Sequence, residues 1–102
     1  MRRYEAMFIL RPDLNESERA DTFNQIKEIF GKFKTKIIKA DVWAEKRKLY
    51  FNLTLKGKGL KFSEGLYYLV EFESVPTEIK NITETLRIKE DILRFFITAK
   101  GE

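Results

Sequence analysis

The sequence predicts an α+β fold of the ferredoxin-like kind, with elements in the order βαββαβ and two helices on one face of a four-stranded antiparallel sheet. Four stretches of extended, alternating character indicate the strands, and two stretches with apolar residues three and four positions apart indicate the helices. At 102 residues, without a linker or an internal repeat, the chain is predicted to be one domain spanning residues 1–102.

The first strand and the first helix are predicted from the N-terminal third. Residues 3–10 alternate in the manner of a strand, and its apolar face consists of Tyr4, Ala6, Phe8 and Leu10. After a break at Pro12, Asn15 and Glu18 have the spacing of a capping box, which predicts a helix start at this point. The helix is expected to end near Phe33. Its predicted apolar stripe consists of Ala20, Phe23, Ile26, Phe30 and Phe33.

Two strands joined by a loop are predicted in the middle of the chain. Residues 36–55 have extended character, but this length exceeds that of an ordinary straight strand, so we expect a bend or bulge at residues 44–47. A Gly- and Lys-containing loop is predicted over residues 56–63, and the third strand over residues 65–73.

The second helix and the last strand follow directly. Pro76 pre-sets the first turn of a helix whose apolar positions are Ile79, Ile82 and Leu86. The period then changes to that of a strand across residues 93–99. The helix and strand also contain three cations, Arg87, Lys89 and Arg94. Cations on a rigid helix–strand unit can contact a partner in a fixed geometry.

Composition favours a binding protein over an enzyme. The chain contains neither Cys nor His, so it lacks the thiol nucleophile, the commonest general base and the commonest metal ligands. We expect no enzymatic activity, no metal, no cofactor and no small-molecule substrate. Because no apolar run approaches the ~18 residues of a membrane span, we expect a cytoplasmic protein without a membrane partner. The net charge of +4 is compatible with nucleic acid as a partner.

One group of candidate binding residues lies at the predicted bend. Lys46, Arg47 and Lys48 are consecutive cations flanked by Trp43 and Tyr50, aromatic residues on which bases or riboses can stack. The alternative is a solvated bend in which Tyr50 belongs to the core and Trp43 is structural or faces a protein partner.

A second group is the pair Arg2 and Arg3 in front of the first strand. Guanidinium groups match phosphate oxygens bidentately, so the pair is a candidate phosphate clamp, whereas the alternative is a frayed terminus. The hypothesis gains weight if the sheet brings the pair close to Arg87 and Arg94. We expect the first and last strands on opposite sides of the central pairing, so this convergence is an assumption.

The third predicted strand argues against base reading on the sheet. The RNA recognition motif shares this fold and carries a basic and aromatic signature on that strand. Here residues 64–71 contain the Gly of that signature, but Glu64 replaces its leading cation and Glu71 places a carboxylate where a base should stack. Contacts to phosphates and recognition by shape therefore fit better.

Several of the segments described above resemble the bacterial small-subunit ribosomal protein six family, and the resemblance extends over essentially the whole chain. The pieces that carry the resemblance are Arg3-Tyr4-Glu5, Trp43 with Lys46-Arg47 and Tyr50, Glu64-Gly65-Leu66-Tyr67-Tyr68, Leu86-Arg87-Ile88 and Ile92-Leu93-Arg94-Phe95. Where the family often ends its first helix with Gly, this chain has Lys34.

The resemblance implies a structural component of the small ribosomal subunit in the cytoplasm. Such a protein binds the central domain of small-subunit ribosomal RNA together with ribosomal protein eighteen, as a heterodimer. The RNA contacts expected by position, with Lys48 completing the basic triplet, are Arg2, Arg3, Lys46, Arg47, Lys48, Arg87 and Arg94. Trp43 and Tyr50 are the expected stacking or protein-partner contacts.

Two other function classes are compatible with this fold. One is a ligand-sensing or oligomerisation module that dimerises through the uncovered sheet face. The other is an acylphosphatase-like enzyme, which needs an Arg-bearing, Gly-rich phosphate loop after the first strand. The corresponding segment, Leu10-Arg11-Pro12-Asp13, has the Arg but no Gly, so this is the weakest alternative.

Overall fold

A computed structural model describes residues 1–54 and 61–100, and within these it describes the side chains of residues 1–49 and 61–100. The elements are β1 (Arg2–Leu10), α1 (Glu16–Lys32), β2 (Lys36–Thr54), β3 (Lys61–Ser74), a 3-10 turn (Pro76–Glu78), α2 (Ile79–Arg87) and β4 (Ile92–Ala99). The strands form one sheet in the order β2-β3-β1-β4, and all neighbouring pairs are antiparallel. The predicted ferredoxin-like fold is therefore confirmed.

Both ends of α1 are closed by local hydrogen bonds. The Glu18 backbone N–H donates to the Asn15 side chain at 2.8 Å, and the Asn15 backbone N–H donates to the Glu18 carboxylate at 3.0 Å, so the predicted capping box is confirmed. At the other end, the Thr35 N–H donates to the Phe30 carbonyl at 3.2 Å and the Lys34 N–H donates to the Gly31 carbonyl at 3.4 Å. This is a Schellman motif, in which Lys34 takes the left-handed position with φ of 54°.

The buried face of α1 differs slightly from the predicted stripe. Ile26 and Phe30 are buried as expected, but Ala20 is exposed and Thr22 is buried in its place. Position 22 shares one helix face with positions 26, 29 and 30, whereas position 20 is turned away from it. The Thr22 hydroxyl tolerates burial because it donates to the Glu18 carbonyl at 3.0 Å.

The core lies between the helices and the even-numbered side chains of β1 and β3. The predicted apolar face of β1 is confirmed, since each of its members is buried: Tyr4, Ala6, Phe8 and Leu10. Phe8 packs edge-on against Phe30 of α1 and contacts the rings of Tyr68 and Phe95. Because successive side chains of a strand point to opposite faces, the odd-numbered residues of β1 and β3 lie on the uncovered face of the sheet.

The long strand β2 is irregular, as predicted. Its register with β3 shifts in four places, two of which lie between Val42 and Arg47. Strand β3 begins at Lys61, so the prediction that the loop extends to residue 63 was wrong. Pairing of Leu53 with Phe62 and of Thr54 with Lys61 extends the hairpin beyond its expected start. Residues 55–60 of the predicted loop lie outside the described residues.

We expected the first and last strands on opposite sides of the central pairing, and this expectation was also wrong. β1 is hydrogen-bonded to β4 as well as to β3, so the first and last strands are immediate neighbours.

Among the described residues, no helix is both long and apolar enough to cross a membrane.

Candidate nucleic-acid interface

The uncovered face of the sheet, called here the open face, consists of rows of side chains that cross all four strands. In strand order from β2 to β4, the rows are Ala44, Tyr67, Ile9 and Arg94; Asp41, Leu69, Met7 and Phe96; and Lys39, Glu71, Glu5 and Thr98. The first two rows are largely apolar and the third is mainly charged. The open face therefore has an apolar area that is bordered on one side by the mainly charged row.

Large apolar side chains are exposed in the centre of the open face. Trp43 and Phe96 are each 52% exposed, although both belong to strands of the sheet. Together with Tyr67, Leu69 and Met7 they form a continuous band from β2 to β4, called here the apolar strip. Exposed apolar surface of this kind marks a site of interaction with another macromolecule.

Arg47 is held on the open face by two aromatic rings. Its guanidinium carbon lies 4.6 Å from the centre of the Trp43 ring and 5.8 Å from that of Tyr67, while the two rings meet edge to face at 5.5 Å. Exposed cation–π contacts are worth about 0.5–1 kcal/mol each. These cation–π contacts orient the guanidinium without neutralising its charge, so Arg47 can still donate hydrogen bonds to a phosphate.

The structure does not bring the three consecutive cations of the bend onto one surface. Lys46 and Lys48 are exposed, as Arg47 is. Arg47 pairs with Gly65 of β3, and Lys48 pairs with the preceding residue, Glu64. Successive strand residues alternate between faces, so Lys48 points to the side opposite Arg47. The side chain of Tyr50 lies outside the described residues.

Arg2 and Arg3 are separated in the same way. Both are exposed, and they pair with the consecutive residues Ser74 and Glu73 of β3. Arg3 therefore lies on the open face and Arg2 on the face that carries the helices. The predicted joint clamp is not formed, although each guanidinium can contact a phosphate separately.

A cluster of opposite charges surrounds Arg3 on the open face. Lys100 donates a hydrogen bond to the Glu71 carboxylate at 2.9 Å and lies 3.8 Å from the Glu5 carboxylate. The hydrogen bond from Lys100 is the main cause of a lowered pKa of Glu71, to which the charges of Lys39 and Arg3 also contribute. Glu71 lies on the open face, as the sequence predicted. The row of Lys39, Glu71, Glu5 and Thr98 therefore contains no aromatic side chain on which a base could stack.

Arg87 and Arg94 both line one groove between α2 and β4. Arg94 pairs with Ile9, whereas the Lys100 N–H at the other end donates to the Arg3 carbonyl at 3.0 Å. Six residues of strand, roughly 20 Å, therefore separate Arg3 from the row of Arg94. The assumed convergence of the N-terminal pair with Arg87 and Arg94 does not occur.

Two features of the site were missed in the sequence. Tyr67 completes the aromatic environment of Arg47, and Phe96 ends the apolar strip at β4. Both occupy open-face positions in strands that also carry apolar residues on the core face. Apolar residues on both faces of a strand were the available signal, since one face of such a sheet would otherwise be polar.

Arg11 is engaged within the protein. Its guanidinium donates two hydrogen bonds to Asp13, at 2.8 and 2.9 Å, and lies 3.6 Å from Asp91. Hydrogen bonding to Arg11 is also the largest cause of a lowered pKa of Asp13. Across the described residues, no group of three or more acidic side chains has the arrangement needed to hold a metal ion.

Comparison with known proteins gives one consistent family. A family model described as ribosomal protein S6 matches residues 3–99. The small ribosomal subunit protein bS6 of Caldanaerobacter subterraneus subsp. tengcongensis is 36% identical over 97 residues, covering 95% of each chain. The bS6 protein of Moorella thermoacetica is 30% identical over 102 residues, covering 100% of this chain and 97% of the relative. The crystal structure of 30S ribosomal protein S6 from Thermotoga maritima superposes with a TM-score of 0.80 at 27% identity, covering 97% of this chain and 87% of that one.

Proposed function

Since the chain belongs to the ribosomal protein S6 family and is a structural protein of the bacterial small ribosomal subunit in the cytoplasm, we propose that it binds the central domain of small-subunit ribosomal RNA together with ribosomal protein eighteen. The family match confirms the resemblance carried by the sequence. In this proposal the chain is a single domain that performs no chemistry and requires no metal, cofactor or small-molecule substrate.

The observation that carries RNA binding is the joint position of Arg87 and Arg94 on the unit formed by α2 and β4. The first ends a helix and the second belongs to the strand that follows it, so packing of the two elements fixes their spacing. Guanidinium groups at fixed positions suit the phosphate backbone of a folded RNA, which is recognised mainly by shape and charge. Arg47 adds a third guanidinium, oriented by Trp43 on the opposite edge strand.

The remaining predicted contacts form separate positions. Arg2 and Arg3 lie at the far end of β1 on opposite faces, and Lys46 and Lys48 flank Arg47. In the proposal they meet different phosphates instead of one. Each phosphate contact should add roughly −0.7 to −0.9 to the slope of log affinity against log salt concentration.

The test is a double variant with a matched control. Arg87→Ala with Arg94→Ala should weaken binding of the complex with protein eighteen to the central-domain RNA by at least about tenfold and flatten the salt slope by about 1.5. Lys27→Ala with Lys80→Ala removes the same charge from exposed helix positions and should change both quantities much less. Equal binding by the Arg87/Arg94 double variant and the wild-type protein would refute this RNA site.

The apolar strip is the proposed docking surface for ribosomal protein eighteen. It exposes Trp43 and Phe96, while Asp41 lies in the same row as Leu69. Apolar contact area with a charged margin is the usual composition of a protein–protein interface. It is less suited to RNA, whose surface is dominated by phosphates.

Phe96→Ser tests this surface. The variant should keep its fold, because the side chain is half exposed, but it should lose most of its affinity for purified protein eighteen in calorimetry. Ile88→Ser is the control, since Ile88 is 75% exposed and lies outside the strip. If Phe96→Ser binds protein eighteen normally and instead abolishes a homodimer, the alternative of a self-associating module is correct.

A further inference from the structure

A groove follows the outer edge of β4. The groove, about 520 Å³ in volume, is lined by every residue from Ile92 to Thr98 and, on α2, by Ile79, Thr83 and Arg87. Because consecutive residues of a strand point to opposite faces, a groove that meets all of them runs along the edge of the strand itself. The edge of β4 is therefore accessible along most of its length.

The backbone at this edge has hydrogen-bonding groups that β1 does not use. Among the described strands, β4 ends the sheet and has β1 as its one neighbour. The Lys100 N–H donates to the carbonyl of Arg3, which fixes the alternation of the antiparallel ladder. By this alternation the even-numbered residues of β4 bond to β1. The N–H and C=O groups of Phe95 and Ile97 consequently point away from β1, toward the outer edge.

We propose that a second copy of the chain pairs with this edge, so that two sheets join through antiparallel β4 strands related by a two-fold axis at Phe96. In this register Phe95 of each copy lies opposite Ile97 of the other. Their outward N–H and C=O groups then exchange both hydrogen bonds of an antiparallel pair, on each side of the axis. The contact is isologous, because the same residues of both copies form it.

The side chains of β4 complement themselves in this register. Phe96, which is 52% exposed, lies directly opposite Phe96 of the second copy, in the closer, non-hydrogen-bonded kind of pair. Phe95 and Ile97 pack partly against the core, and they form apolar cross-strand pairs on the helix side of the sheet. The next pair on the open face joins Arg94 to Thr98, so no like charges lie opposite each other. The pairing thus buries apolar surface that a single copy exposes.

The joined sheet also continues the apolar strip. On the open face, the row of Asp41, Leu69, Met7 and Phe96 runs on into the same row of the second copy, in reverse order. The strip then no longer ends at an exposed aromatic ring, and its charged ends at Asp41 lie at the two far sides. One strand pair is a small contact beside the roughly 20–30 residues per partner of a typical stable interface, so we expect a weak dimer.

A register centred on Ile97 is the competing arrangement. It would add backbone hydrogen bonds at Ala99, but it would place Phe96 opposite Thr98 of the second copy. The exposed ring would then lack the aromatic partner that it has in the register centred on Phe96. Aromatic pairs stabilise strand pairing beyond the area that they bury, so the register centred on Phe96 is the better one.

A residue on a two-fold axis meets its own copy, which permits a charge-swap test on the full chain. Phe96→Lys and Phe96→Glu should each raise the dissociation constant of the dimer at least about tenfold, because like charges then lie opposite each other. An equimolar mixture of the two variants should associate again in sedimentation equilibrium. Ile88→Lys and Ile88→Glu are the matched controls, since Ile88 is 75% exposed and lies outside β4, and both should dimerise like the wild-type chain.

Introduced cysteines test the register, since the chain contains none of its own. In the proposed register, the Cα atoms of Arg94 and of Thr98 in the second copy lie about 4.5 Å apart, a distance that a disulfide spans. Arg94→Cys mixed with Thr98→Cys should therefore cross-link on oxidation, whereas neither variant should cross-link alone. Cross-linking of Thr98→Cys to Phe96→Cys instead would indicate the register centred on Ile97 and contradict the proposal.

Two results would overturn the dimer altogether. One is a wild-type chain that stays monomeric up to about 1 mM, and the other is a mixture of Phe96→Lys and Phe96→Glu that fails to associate. Because Phe96 also belongs to the surface proposed for protein eighteen, the dimer is a form of the chain without that partner. The tests contain neither RNA nor protein eighteen, so their failure leaves the proposed function intact.

Discussion

The guanidinium of Arg47 lies over the ring of Trp43, 4.6 Å from its centre, although both residues belong to the same strand. Residues four apart in a regular strand are separated by about 13 Å along its axis. Register shifts on either side of Ala44 bend β2 and allow the two side chains to meet. The bend expected from the length of the strand thus also determines the position of a proposed RNA contact.

Trp43 is the single Trp of the chain, so its fluorescence reports on this contact. Arg47→Ala should shift the emission of Trp43 and lower the free energy of unfolding by no more than about 1 kcal/mol, since the contact is exposed. Arg2→Ala removes an equal charge far from the ring and should leave the spectrum unchanged. Identical spectra for Arg47→Ala and the wild-type protein would show that the contact is absent in solution.

The ion pair between Lys100 and Glu71 makes a pH-dependent contribution to stability. The pKa of Glu71 is lowered from its ordinary value of 4.5, first by the hydrogen bond from Lys100. A carboxyl group with a lowered pKa stabilises the folded state above its unfolded pKa, and this contribution is lost as the pH falls through the folded value.

Replacement of Lys100 tests that assignment. In Lys100→Met, the carboxyl carbon of Glu71 should titrate at higher pH by NMR than it does in the wild-type protein. The free energy of unfolding should also fall less steeply on acidification below pH 4.5. The titration of Asp13 serves as an internal control, because its partner is Arg11. An unchanged Glu71 titration would contradict the pairing.

Two glycines should respond in opposite ways to replacement by Ala. A Cβ at Gly65 would lie 2.5 Å from Cγ2 of the buried Ile9, so Gly65→Ala should destabilise the fold by about 1–3 kcal/mol. A Cβ at Gly31 meets nothing within 4 Å in the last turn of α1, so Gly31→Ala should stabilise it by about 0.5–1 kcal/mol. Urea unfolding measures both changes, and equal signs would contradict the packing around Gly65.

The left-handed residue after α1 predicts a stabilising substitution. Lys34 has φ of 54°, a conformation in which Gly avoids the steric cost of a Cβ atom. Lys34→Gly should raise the free energy of unfolding by about 0.5–1 kcal/mol. Lys32→Gly, in the last turn of the helix, is the matched control and should lower it by a similar amount. A loss of stability in Lys34→Gly would argue against the Schellman geometry in solution.

The local elements were predictable because their signals are local. The alternation of β1 identified its buried face, and the spacing of Asn15 and Glu18 identified the start of α1. Each signal depends on residues within one or two turns, whose geometry hardly changes with the rest of the fold. Errors occurred where tertiary pairing overrides composition. Phe62 joins β3 because Leu53 pairs with it. Thr22 is buried instead of Ala20 because it shares the helix face of Ile26 and Phe30 that packs on the sheet.

The grouping of the candidate residues was not predictable in this way. Arg2 and Arg3 are adjacent in sequence, yet the pleat sends them to opposite faces. Arg87 and Arg94 are seven positions apart, yet they line the same groove. Arg47 meets Tyr67 from a different strand because of bulges whose effect on side-chain direction is not encoded by spacing.

By itself, the sequence determined the types and order of the elements, the N-terminal cap of α1 and the family, since periodicity and short motifs can be recognised without a structure. Only the tertiary structure decided which cations share a surface, because lateral strand order, antiparallel direction and bulges set those distances. The same structure placed an uncovered strand edge beside Arg94, a feature that depends on which strand ends the sheet.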